Sequence, residues 1–269
     1  MNDKRKRKAV ALGDFDGMHL AHKTVVTGAD DVVIYCVNNR FSLLQKSIFE
    51  KRFPNAVFAD FNELKNMSAS DFIDKILIDK FGAEMILCGF NFRFGKGAMW
   101  SALDLRALLE SRDIWVRILE QLDCDGEAIS STRIRNCLKN GEIELANKML
   151  GYSFTFENEV VLGDRRGRTL GFPTINQNMP HGLAVPKFGV YESRAIINGE
   201  AHKSFTNIGI RPTWRVEEPL SETHIFDFSG DLYGKTVRIE LLRYLREEKI
   251  FSSVDELKEQ LINDKSSIV

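Results

Sequence analysis

The sequence holds 269 residues, 43% hydrophobic and 28% charged, with 37 Lys and Arg against 38 Asp and Glu for a formal net charge of -1. That length exceeds the ~100 to 150 residues of one ordinary domain, so two units with separate cores are expected, and no apolar run approaches the ~20 residues that span a bilayer. The near-zero charge provides no general attraction to nucleic acid or acidic lipid, so neither is expected as a partner and any bound anion must be held locally.

The chain opens on a basic run, Lys4 to Lys8, readable as a solvated tail or a nucleic-acid arm. No apolar stretch of signal-peptide type follows it, so a cytoplasmic location is expected. From there to about residue 150, apolar runs read as strands at Ala9 to Leu12, Val32 to Val37, Ala56 to Ala59, Met85 to Cys88 and Trp115 to Leu119. Helical patterns lie between them. The clearest is Ser70 to Phe81, with Phe72, Ile73, Ile76, Leu77 and Phe81 on one stripe and Ser68 with Asp71 as a capping box. Strands alternating with helices imply a doubly wound parallel α/β domain, residues 1–152, with ligands at the carboxyl ends of its strands. After Gly151 the texture turns β-rich, with segments at 154–162, 189–197, 204–208, 223–228 and 236–242. That is a barrel or sandwich pattern, residues 153–269, closed by a helix over Val254 to Ile262 whose Leu257, Leu261 and Ile262 cover one end. Cys36, Cys88, Cys124 and Cys137 are widely spaced, without zinc-ligand spacing, and read as buried reduced thiols.

Three stretches of the first domain carry polar chemistry. Gly13-Asp14-Phe15-Asp16-Gly17-Met18-His19-Leu20-Ala21-His22 follows the first strand. Its two imidazoles, three apart at a helix start, suit nucleotide phosphates, or are two unrelated surface histidines. Gly89 to Gly97, with Phe90, Asn91, Phe92 and Phe94, offers aromatics and close backbone approach, or is a loop packed by its own phenylalanines. Ser130-Ser131-Thr132-Arg133 opens another helix, where hydroxyls and a guanidinium bind phosphate or cap the helix.

In the second domain, Gly163-Asp164-Arg165-Arg166-Gly167-Arg168-Thr169 combines glycines and arginines suited to a polyphosphate. Gly171-Phe172-Pro173-Thr174-Ile175-Asn176 follows. Thr174 and Asn176, two apart in an extended segment, point the same way and offer oxygen ligands of the kind Mg2+ takes, or belong to an ordinary edge strand. Glu222 at a strand start is a solvated carboxylate, or a base accepting the proton of an alcohol that attacks a γ-phosphate.

The amino-terminal motifs resemble the nucleotidyltransferase module of the bacterial bifunctional riboflavin kinase and FAD synthetase family. The carboxy-terminal set resembles that family's kinase module over about 155 to 265, through the Gly-Phe-Pro-Thr-Ile-Asn stretch, Asn207 to Thr213, Glu222 to Phe228, Asp231 to Gly234 and Arg246 to Phe251. The resemblance implies a Rossmann-like domain followed by a riboflavin kinase β-barrel. ATP would phosphorylate riboflavin to FMN in the second and adenylylate FMN to FAD in the first. It implies that His19 and His22 hold ATP phosphates, with Gly13, Asp16, Asn91, Ser131, Thr132 and Arg133 on nucleotide or phosphate. In the kinase module it implies Gly163, Gly167, Arg168 and Thr169 in the phosphate loop, Thr174 and Asn176 on Mg2+, and Glu222 as the base. The sequence departs from the family pattern at Ala21, where the family carries Gly, and at Asn38-Asn39, where it carries a Pro-His-Pro type of segment.

Overall fold

The computed structural model describes residues 8–37, 41–163, 167, 170–210 and 219–268. Most of the basic run, Asn38-Asn39, Arg168 with Thr169, and Arg211 to Thr213 lie outside the described residues. Packing divides the chain into Met1–Phe41 with Lys46–Ser131, and Ser42–Gln45 with Thr132–Val269.

The first unit runs β1 (Ala9–Gly13), α1 (Leu20–Val26), β2 (Val32–Cys36), α2 (Lys46–Arg52), β3 (Ala56–Phe58), α3 (Phe61–Leu64) and α4 (Ala69–Asp71), which continues as Phe72–Lys80. It goes on through β4 (Met85–Gly89), the short pair β5 (Arg93–Phe94) and β6 (Trp100–Ser101), α5 (Ala102–Glu110), β7 (Trp115–Leu119), and the pair β8 (Asp123–Cys124) and β9 (Glu127–Ala128). Each of the five strands expected from the sequence is present. They form one sheet in the order β3-β2-β1-β4-β7, parallel throughout. Ala9, Val10, Ala11 and Leu12 are all buried, because a strand covered on both faces has no polar side. The order reverses at β1 and β4, so their carboxyl ends part and leave a crevice. The expected helix is capped by Ser68, whose hydroxyl accepts the Asp71 N–H at 3.0 Å and donates to the Asp71 carboxylate at 2.9 Å.

The second unit begins with α6 (Ser131–Asn140), whose first residue is counted with the first unit, and α7 (Ile143–Leu150). Then come β10 (Thr155–Glu159), β11 (Thr174–Asn178), β12 (Gly189–Ile197), β13 (Glu200–Ile210), β14 (Pro219–Ile225), β15 (Thr236–Arg246) and α8 (Val254–Ser266). The strands form one six-stranded sheet, antiparallel at every pairing, in the order β10-β15-β12-β13-β14-β11. Its two edges nearly close it into a barrel: the Val161 N–H donates to the Asn176 carbonyl at 2.8 Å, and the Gln177 amide donates to the Asn158 carbonyl at 2.6 Å. Inside, Ser193, Ser204, Thr206 and Thr223 join buried hydroxyls at 2.7 to 2.8 Å, so these polar groups are satisfied without water.

Packing places the first break earlier in the chain than the change of sequence texture near 150, because α6 and α7 are bonded to the barrel. The Asn147 amide donates to the Leu241 carbonyl at 2.8 Å and its oxygen accepts the Phe154 N–H at 2.6 Å, while the Lys187 N–H donates to the Leu138 carbonyl at 2.9 Å. Residues Ser42–Gln45 join the same unit through Gln45, whose side chain pairs with both backbone groups of Glu157 on edge strand β10. Such cover blunts a sheet edge. One expectation for α8 is corrected. Leu261 packs on Val190, Phe205 and Phe226, but Ile262 is 48% exposed, because the stripe turned inward runs through Leu257, Gln260, Leu261 and Asp264. The four cysteines are free and buried.

Candidate functional site

The crevice of the first unit holds a cavity of about 400 Å³ lined by Gly13, His19, Ala21, His22, Asn91 and Ser131 among others. Its floor is an irregular turn: Phe15 (φ 56°), Gly17 (φ 74°) and Met18 (φ 39°) are all left-handed. Bulky residues adopt that conformation only where the surroundings enforce it, and such turns concentrate at binding sites. Gly13 permits the turn, since a β-carbon there would press on the Phe15 ring at 3.0 Å. Asp16 is buried, and its carbonyl accepts the Ser131 hydroxyl at 3.2 Å.

His19 caps α1 by accepting the His22 N–H on its Nδ1 at 3.3 Å, so the proton of the neutral ring sits on Nε2. The two rings stack with centroids 3.6 Å apart. Burial pushes His19 down to about 4, and burial followed by the neighbouring His19 holds His22 well below its ordinary value. Both are therefore neutral at pH 7, and each ring carries one N–H. Ala21 lies inside α1 with no positive φ, so its β-carbon is accommodated where the family carries Gly. The Asn91 side chain folds over Gly89, with its oxygen 3.1 Å from where a β-carbon would be. Phe92 and Phe94 are buried and pack with Phe72 and Trp100, whereas Phe90 is half exposed at the cavity. Thr132 and Arg133 stand in the first turn of α6, where the Thr132 hydroxyl accepts from Arg135 at 3.2 Å.

The barrel brings the remaining residues together through its register. Asn176 on β11 lies opposite Glu222 on β14, Glu222 opposite Asn207 on β13, Asn207 opposite Val190 on β12, and Val190 opposite Arg246 on β15. Directly opposed residues share a face, so these five make one row across the sheet. Thr174, two residues before Asn176, joins that face. A cavity of about 170 Å³ is lined by Thr174, Glu222, Asn207, Arg246 and Glu248, and α8 contributes Leu257, Leu261 and Asp264. A second cavity, about 670 Å³, is lined by Pro173, Thr174 and the segment Phe228 to Tyr233. Thr174 is thus the wall common to both.

Local contacts fix this arrangement. The His224 ring bonds the Pro173 carbonyl through Nδ1 at 2.8 Å, pinning the chain where it enters β11. Burial lowers the His224 pKa, and the bond to Pro173 works against that shift. Gly163 leaves room for Asn176, whose amide would collide with any β-carbon there, and Gly167 does the same for the Phe172 carbonyl. Asn207, Arg246 and Glu248 fall in the quoted motifs but were not expected at the site. Period-two alternation with Glu222 is the only sequence signal for Asn207, and it needs the register to be read.

Against known proteins, a riboflavin kinase family model matches residues 150–268 and an FAD synthetase model matches 45–133. The bifunctional riboflavin kinase/FMN adenylyltransferase of Bacillus subtilis (strain 168) is 30% identical over 302 residues, covering 100% of this chain and 94% of that protein. This chain belongs to the bifunctional riboflavin kinase/FMN adenylyltransferase family. The Listeria monocytogenes protein of the same name is also 30% identical, over 96% of this chain and 90% of its own. A crystal structure of a Streptococcus pneumoniae protein described as a macrolide-efflux protein superposes with a TM-score of 0.89 at 28% identity, covering 98% of this chain and 94% of that one. No helix among the described residues here is long and apolar enough to cross a membrane.

Proposed function

We propose that the barrel transfers the γ-phosphate of ATP to the terminal hydroxyl of riboflavin, and that the first unit joins the resulting FMN to an adenylyl group from a second ATP. The observation that carries the kinase reading is Thr174 standing between two cavities, the smaller of which contains the Glu222 carboxylate. One cavity takes an alcohol, the other a nucleotide, and the phosphoryl group crosses at their common wall. Glu222 accepts the hydroxyl proton as the oxygen attacks.

The Thr174 hydroxyl and the Asn176 amide oxygen, neutral donors on one face beside Gly163, fit a Mg2+ that keeps waters and shares phosphate oxygens. That ion, when bound, offsets the charge of the transferring phosphoryl group. Thr174 and Asn176 orient the polyphosphate, and the family resemblance assigns phosphate contacts to Gly163, Gly167, Arg168 and Thr169.

In the first unit, the neutral His19 and His22 donate hydrogen bonds to the ATP phosphates as pyrophosphate leaves, and Gly13, Asp16, Asn91 and Ser131 hold nucleotide or phosphate, a role the family resemblance also gives Thr132 and Arg133. Ala21 in a helical position is compatible with this. A kinase-only reading rests on the departures from the family pattern at Ala21 and Asn38-Asn39.

Product analysis decides between them. Protein incubated with riboflavin, ATP and Mg2+ is expected to yield FMN and then FAD, resolved by chromatography. FMN alone, even at high enzyme, removes the adenylyltransferase. Glu222→Ala is expected to cut FMN formation by at least about a hundredfold and leave FMN-to-FAD conversion intact, and His22→Ala to do the reverse. Survival of both activities in either variant overturns that residue's role.

A further inference from the structure

We infer that Asn207 is a specificity residue of the barrel: its side-chain oxygen accepts a hydrogen bond from a secondary hydroxyl of the polyol chain of the alcohol substrate. The inference rests on the riboflavin kinase reading and deepens it. Asn207 lines the same cavity as Thr174 and Glu222, in register beside Glu222. Its amide nitrogen donates to the Glu248 carboxylate at 2.9 Å. Glu248 is itself seated against Gly209, where any β-carbon would collide with the carboxylate.

A carboxylate accepts and cannot donate, so this bond fixes which way the amide points: nitrogen toward Glu248, oxygen away from it. That oxygen is buried and has no hydrogen-bond partner among the described residues. A buried acceptor left unmatched costs about 1 to 3 kcal/mol, a cost that a ligand donor relieves.

The geometry also says which part of the ligand supplies the donor. Along the row, Glu222 stands between Asn176 on β11 and Asn207 on β13. The reacting hydroxyl is at Glu222, and the phosphate donor arrives from the β11 side, where Thr174 and Asn176 are. The rest of the alcohol therefore extends toward β13. Neighbours in such a row have their β-carbons about 4.5 to 5.5 Å apart, a span that runs from the terminal hydroxyl to the secondary hydroxyls of an extended polyol. A hydroxyl there meets an oxygen that can only accept.

The test compares kcat/KM for riboflavin and for its 2′-, 3′- and 4′-deoxy analogues, each of which keeps the reacting 5′-hydroxyl. In the unsubstituted protein, one analogue is expected to fall about tenfold or more below riboflavin. In Asn207→Leu, riboflavin falls to the level of that analogue and the two become equivalent. Asn207→Ser, too short to reach, behaves the same and decides the matter if the Leu variant does not fold. A variant that still discriminates among the four as the unsubstituted protein does overturns the inference, as does an unsubstituted protein that makes no distinction. An unsubstituted protein that forms no FMN at all overturns the kinase reading and the inference with it, whereas undiminished FMN formation with unchanged discrimination removes the inference alone.

Discussion

At the scale of single residues, the stacked pair His19 and His22 combines a structural cost with the use proposed for it. Both are held below the ordinary histidine value by burial, His19 at about 4. In the unfolded chain each returns to about 6.5, so between these values the unfolded state binds more protons than the folded one and stability rises with pH. The neutral pair is tolerated in full above about pH 6.5, and acidification from there toward 4 weakens the fold, by on the order of 3 kcal/mol for His19. Thermal unfolding followed from pH 7.5 to 4.5 is expected to show a falling midpoint, flattened in His19→Asn. An unaltered slope in that variant assigns the acid sensitivity elsewhere, His22 and His224 being the other histidines lowered by burial. The sequence made the spacing of this pair legible and left open whether it was a site or a coincidence. What it could not convey was the left-handed turn from Phe15 to Met18 that brings both rings to the crevice, since Phe and Met carry no local preference for that conformation.

At the scale of elements, the five sheet strands of the first unit and β10, β12, β13, β14 and β15 of the second were readable from their apolar runs, β12 over the residues it occupies, whereas β11, Thr-Ile-Asn-Gln-Asn, carries no such run. Register was not readable. The row from Asn176 to Arg246 joins residues far apart in sequence, and alternation gives only the parity of each strand, never its offset against its neighbour. That is why Thr174, Asn176 and Glu222 could be named while Asn207 and Glu248 could not. Helix α8 illustrates the same limit: its apolar positions predicted a cover, and Ile262 proved to face outward. What holds the helix is instead an ion pair, Arg246 to Asp264 at 2.9 and 2.7 Å, with Gln260 adding a bond to the same carboxylate at 2.9 Å. The side chains are 15% and 4% exposed, so removing one partner strands the other charge. Asp264→Ala is expected to destabilise the barrel by about 3 to 5 kcal/mol in urea unfolding, and Asp264→Asn by less. A loss under 1 kcal/mol for the alanine variant makes the pair a surface ornament.

At the scale of the whole molecule, composition and length already implied two units, and the texture change near 150 placed their border by chemistry. Packing draws it differently, with α6, α7 and the four residues from Ser42 counted with the barrel. The reason lies in side chains that no local pattern reveals: Asn147 bridging Leu241 and Phe154, and Gln45 closing the edge at Glu157. A fragment of residues 132–269 is accordingly expected to melt several degrees above one of residues 153–269, measured by circular dichroism at equal concentration. Equal midpoints mean that the helices are passengers and the border belongs near 152.

The contact between Val161 and Asn176 has a further consequence for how this barrel can vary. The stretch that leaves the sheet at Val161 returns to it at Thr174, two positions from the residue it was bonded to when it left. Its two ends are tied to the same strand, like a purse drawn shut at its neck. The length of chain within such a noose is nearly free to change, since doubling it adds only about 0.6 kcal/mol of closure entropy. Insertions there leave intact the neck that keeps Thr174 and Asn176 in place, so the length of this stretch can vary without rebuilding the barrel wall.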